Sequence, residues 1–140
     1  MSDGSTLRAI DANVILRYLL QDVPHQFEAA RRLIESRESL GLTSVALAEI
    51  AWTLTGPYYR VDRKRVAGLL VAILSRENIT TIGFSKEEAL AAMQSCATDD
   101  AAADFGDALI TACARSAGID EIYSFDNRFA RAGLNPITPE

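Results

Sequence analysis

Apolar and polar positions along the chain switch between two periods. Short apolar or β-branched runs at residues 7–10, 39–43, 79–82 and 121–125 read as strands. The segments between them carry apolar residues three or four apart and read as amphipathic helices. Residues 13–20 form one such segment. Pro24 opens another, with Phe27, Ala30, Leu33 and Ile34 on one face and proline in its first turn. From Ser44, the residues Ala46, Leu47, Ile50, Ala51 and Leu54 mark a helix that Gly56-Pro57 terminates. Asp62 is placed to cap the next, with Val66, Leu69, Leu70 and Ile73 inward. Ser85 and Glu88 form a capping box for a helix running through Met93. A further helix spans 105–117 and stops at Gly118, and a helical turn at 127–132 closes at Gly133. Residues 134–138 read as an edge strand, since Pro136 has no N–H for a central ladder. Short strands separated by helices predict an α/β fold with a parallel sheet. There is no repeat or linker, so residues 1–140 are expected to form a single domain, with 1–6 a flexible N-terminal tail.

At 140 residues a chain buries about 68–70% of its unfolded surface without help from disulfides or metals. No apolar run approaches the roughly 18 residues of a membrane span, and the N-terminus has no secretory apolar region. Cys96 and Cys113 lie in helix-like segments without metal-ligand spacing and are expected to be small hydrophobes. The expectation is a reduced, cytoplasmic protein with no membrane contact. A net charge of −5 argues against bulk attraction to nucleic acid or anionic lipid. The local distribution qualifies this. Asp99, Asp100, Asp104 and Asp107 form an acidic group, and Arg60, Arg63, Lys64 and Arg65 a basic one. An acidic site beside a basic rim suits a cation-dependent enzyme acting on a polyanion.

The run Ile10-Asp11-Ala12-Asn13-Val14-Ile15-Leu16 sets a carboxylate among apolar residues where a strand ends. Burying a polar group without partners costs about 2–7 kcal/mol, so a helix N-terminus, a hydrogen-bond network or a metal ion must offset it. Function in open parallel sheets concentrates at the carboxyl ends of strands. Asp11 and Asp126 each follow a strand, Glu49 lies early in the helix after another, and Asp107 is in the first turn of the helix feeding residues 121–125. Four carboxylates converging there repel one another unless a cation intervenes, and oxygen ligands without His or Cys favour Mg²⁺ or Mn²⁺. Each acid alone also reads as a helix cap. Asp104, three residues before Asp107, is expected to cap rather than to ligate, with ligation as the alternative. Arg17 reads either as a phosphate or partner contact or as a side chain snorkelling at a helix end. His25 is expected in solvent, and Tyr18 and Trp52 in a core or an interface.

The segments around Asp11, Glu49, Asp107 and Asp126, in this order and at this spacing, resemble the PIN-domain ribonucleases, most closely the VapC-type toxins of bacterial toxin–antitoxin pairs. The resemblance covers nearly the whole chain. It implies a three-layer α/β/α fold with a central five-stranded parallel sheet, and divalent-metal-dependent endonucleolytic cleavage of RNA. The family's four acids fall on Asp11, Glu49, Asp107 and Asp126 as metal-holding, catalytic residues; Asn13 and Ser124 match supporting polar positions. Ala12 departs from the family's usual Thr or Ser. Arg17, Arg63, Lys64 and Arg65 are the candidate RNA contacts. The resemblance also implies a homodimer and an antitoxin of the VapB type as partner. The dimer is expected through the helices starting at Ser44 and Asp62, whose Leu47, Ile50, Trp52, Leu54, Leu70 and Ile73 exceed one core face. Two other readings stand beside the nuclease: a non-catalytic PIN-like binding module, and a phosphoacceptor receiver domain. The receiver wants a lysine at the last strand, where the chain has none.

Overall fold

The computed structural model describes residues 6–98 and 104–140. Asp99, Asp100 and most of the expected N-terminal tail lie outside the described residues. The chain runs β1 (Arg8–Ala9), α1 (Ala12–Leu20), α2 (Pro24–Ile34), β2 (Leu40–Thr43), α3 (Ser44–Thr55) and α4 (Arg63–Leu74), then β3 (Ile79–Ile82), α5 (Lys86–Thr98), α6 (Phe105–Ser116), β4 (Glu121–Tyr123), α7 (Phe129–Ala132) and β5 (Asn135–Ile137).

The helices start and stop where local chemistry dictates. Thr43 caps α3 by accepting from the Ala46 amide at 3.1 Å, and Asp62 caps α4 through the amides of Lys64 and Arg65. The Ser85 hydroxyl accepts from the Glu88 amide at 3.2 Å. Gly133 ends α7 at φ 102°, a conformation that favours glycine. One helix runs longer than its pattern: α5 continues to Thr98 because nothing after Met93 breaks it, and Cys96, 1% exposed, extends its buried face.

The five-stranded sheet is not what forms. All pairings are parallel, but the strands divide into a three-stranded sheet, β1-β2-β3, and a separate pair, β4-β5. The cause is strand length. β1 has two residues before Asp11 turns the chain into α1, and β4 has three before a turn begins, in which the Asp126 amide donates to the Ser124 hydroxyl at 3.3 Å. Each of these short strands spends its few backbone groups on one neighbour, β1 on β2 and β4 on β5, and Pro136 in β5 cannot donate.

Leu42 and Ile79 in the three-stranded sheet, Ile15 in α1, Leu47, Ile50 and Leu54 in α3, Val66 and Leu70 in α4 and Met93 in α5 are at most 1% exposed. Five of the six residues assigned above as surplus to one core face, Leu47, Ile50, Leu54, Leu70 and Ile73, are thus spent in the core, and only Trp52 remains outside. α3 touches α1, α4 and α6, so it is the element through which the site's separate parts connect.

Candidate active site

Asp11 occupies the N-cap of α1 with an extended backbone (φ −79°, ψ 152°), and its Oδ1 accepts from the Ala12 amide at 2.8 Å. It is exposed. The carboxylate that looked stranded among apolar residues therefore keeps its hydration and gains a helix N-terminus. Asn13 is exposed on the first turn of the same helix and lines a groove of about 520 Å³ between α1 and α2.

The buried acid is Asp107, 5% exposed in the first turn of α6. Asp104 caps that helix, its Oδ1 accepting from the Asp107 amide at 2.8 Å, which bears out its capping role. Asp107 meets Arg128, whose Nε lies 2.9 Å from Oδ2. The same guanidinium reaches Asp126, with Nη1 3.5 Å from its Oδ2, and Asp126 Oδ1 accepts from the Arg128 amide at 3.0 Å. Ser124 supports this turn through its hydroxyl, so it positions Asp126. Burial drives the Asp107 carboxyl above the ordinary carboxylate range; Asp104 pushes the same way, Arg128 opposes them, and Asp126 adds a smaller upward push.

Glu49 is exposed on α3. It shares a face with Val45 and Trp52, four residues before it and three after. Trp52 lies against the start of α6: a Cβ built on Gly106 would stand 3.6 Å from its ring. Glu49 is therefore about one helical turn from Trp52, whose ring lies against the residue before Asp107. Trp52 is 59% exposed, which removes the core as its place. Together with Arg63, Asp104, Asp107 and Ile110 it lines a cleft of about 430 Å³.

The fold thus joins Asp104, Asp107, Asp126 and Arg128 by direct interaction. Neither Asp11 nor Glu49 has an ion pair or side-chain hydrogen bond with that group, and among the described residues no three acids are close enough together to hold one ion. The donor chemistry nonetheless fits a hard cation. The ligands are carboxylates, and a cation already stands between two of them in the form of the Arg128 guanidinium.

The basic residues divide. Arg63 reaches the cleft wall, donating to the Cys96 Sγ at 3.9 Å. Lys64 is half-buried and Arg65 exposed on α4, where Arg65 borders a different hollow with Leu19 and Arg60. Arg17 is bound to Asp22 at 2.8 Å and also engages Tyr59, so its guanidinium is held within the protein's own surface. Arg128 was not among the candidates. The signal was present, two residues after Asp126, but a basic residue near the end of a short turn reads as an ordinary solvated charge.

A family model, the PIN domain, matches residues 9–134. The chain belongs to the PIN-domain family. That span includes all four acids and runs from the end of β1 through α7, stopping just before β5. PIN domains are generally nucleases and typically bind divalent metal ions. Neither a curated protein nor a solved structure matches the chain. No helix among the described residues is long and apolar enough to cross a membrane.

Proposed function

We propose that this PIN domain is a divalent-metal-dependent endoribonuclease and the toxin of a toxin–antitoxin pair. The observation that carries the nuclease reading is Asp107: a carboxylate held out of water at a helix start, with Asp104 and Asp126 beside it and a cation already bound to it. A buried acid kept among other acids has no packing purpose, and perturbed carboxylates in a cleft mark functional sites. Asp11, Glu49, Asp107 and Asp126 would hold Mg²⁺ or Mn²⁺. When bound, such an ion neutralises a scissile phosphate and acidifies the attacking water. Asp107 anchors the group because burial fixes its position, while Asp126 adjusts on its turn. Arg63 offers a positive charge on the cleft wall, and exposed Trp52 borders the same cleft.

The toxin role rests on the resemblance in motif order, and PIN nucleases often pair with antitoxins. An antitoxin would dock where it covers the acids, and a cytoplasmic RNA would be the target. The non-catalytic module remains the second reading, favoured by the dispersed placement of Asp11 and Glu49.

The test is cleavage of single-stranded and structured RNA by the purified chain. Activity with Mg²⁺ or Mn²⁺ that stops in EDTA, and is lost by at least about a hundredfold in Asp107→Asn but only a few-fold in Asp104→Asn, is expected. Full activity in EDTA overturns the metal mechanism. Equal activity of Asp107→Asn and the parent places the site elsewhere.

A further inference from the structure

Arg128 is tied to both acids by side chain and backbone at once. Its Nε meets Asp107 at 2.9 Å, its Nη1 meets Asp126 at 3.5 Å, and its amide donates to the other Asp126 oxygen. Its Cζ lies 5.4 Å from the ring centroid of Phe129, a residue buried against the rest of the chain. The two ends of the Asp107 pair are unequal: the Asp107 side chain is 7% exposed and that of Arg128 is 60% exposed. The carboxylate is thus fixed in the protein while the guanidinium reaches it from the solvent side, on a long side chain free to leave.

We infer that Arg128 is a built-in counter-ion that occupies the cation position between Asp107 and Asp126 and must swing outward before a divalent ion can bind there. The inference rests on the metal-dependent reading above. A guanidinium carries one charge spread over a planar fork, and its nitrogens stand 2.9 Å or more from the oxygens. A divalent ion of the Mg²⁺ type carries two charges and approaches carboxylate oxygens to about 2.0–2.1 Å. The ion therefore wins at sufficient concentration, and the tether of Arg128 to the Asp126 turn sets how much is needed. Without metal, the arginine keeps the buried carboxylate compensated and holds α7 against α6. With metal, it is released two residues from Asp126 with its charge free for a phosphate.

The test is Mn²⁺ binding to the full chain by titration calorimetry, without RNA, for the parent, Arg128→Gln, Arg128→Lys and Asp107→Asn. Arg128→Gln should bind Mn²⁺ roughly fivefold more tightly, the size expected for one partly exposed ion pair, and should melt at a lower temperature than the parent without metal but gain more on adding Mn²⁺. Arg128→Lys, which keeps the charge, should stay near the parent. Asp107→Asn should lose binding. If the parent binds Mn²⁺ and Asp107→Asn does not, but Arg128→Gln binds equally or more weakly, Arg128 is a structural pin and the counter-ion inference is overturned while the metal site stands. If neither the parent nor Arg128→Gln binds Mn²⁺, the metal-dependent reading fails and takes the inference with it.

Discussion

At the scale of single residues, two aspartates three apart in sequence have opposite roles. Asp104 spends its side chain on a helix N-terminus; Asp107 spends its own on the inside of a cleft. Capping is stabilising and transferable to asparagine, whereas a buried carboxylate among like charges costs stability and serves chemistry. Asp104→Ala should therefore lower stability by about 1 kcal/mol and Asp104→Asn by only a few tenths. Asp107→Asn should leave stability unchanged or raise it by up to about 1 kcal/mol in the absence of metal, because the amide needs no counter-charge and Arg128 is exposed enough to stay hydrated. Urea unfolding of the three variants checks this. A marked loss of stability in Asp107→Asn would show that the Arg128 pair is a structural bond rather than a compensation.

At the scale of elements, the helices were legible because their signals are local. Pro24, Asp62, Ser85 and Asp104 act on groups within four residues, and the apolar faces of α3 and α4 follow from spacing alone. The strands at 39–43 and 79–82 were legible for the same reason. The sheet's continuity was not, since pairing depends on how many backbone groups a distant strand still offers once its neighbours have turned away. Residues 7–10 shrank to Arg8–Ala9 and residues 121–125 to Glu121–Tyr123. In the candidate site, Asp11, Asp104 and Asp126 fell at the element ends their positions implied. The sequence misassigned the burial: the apolar run around Asp11 suggested an enclosed carboxylate, yet the enclosed one is Asp107, and its partner Arg128 comes from a turn some twenty residues away. Such pairings are set by tertiary placement, which periodicity does not encode.

At the scale of the whole molecule, the helical face carrying Val45, Glu49 and Trp52 continues to Ile110 on α6. The three apolar residues are 65%, 59% and 49% exposed. This patch, rather than the buried residues of α3 and α4, is the face through which we expect two copies to pair, with the partner copy bordering the cleft that Trp52 and Ile110 line. Trp52→Glu should shift a homodimer of about 30 kDa, twice the 15.2 kDa chain, to monomer in light scattering; a parent chain that is monomeric at tens of micromolar would sink the expectation. The division of the strands into two groups has a separate outcome. Asp126 and Arg128 belong to the smaller group, which is attached to the body chiefly by Phe129 and Leu134, by Arg115 donating to the Gly133 carbonyl at 3.3 Å and by the Arg128–Asp107 ion pair at 2.9 Å. A unit with so few anchors opens on its own far more often than the molecule unfolds. Half of the proposed ion site would thus exist only part of the time, and the protein would be switched by the closing of a small cooperative unit as much as by its ligands. Amide exchange should show it: the Tyr123 and Ser124 amides should exchange well before that of Leu42, and equal protection at both places would mean that the two groups of strands open as one.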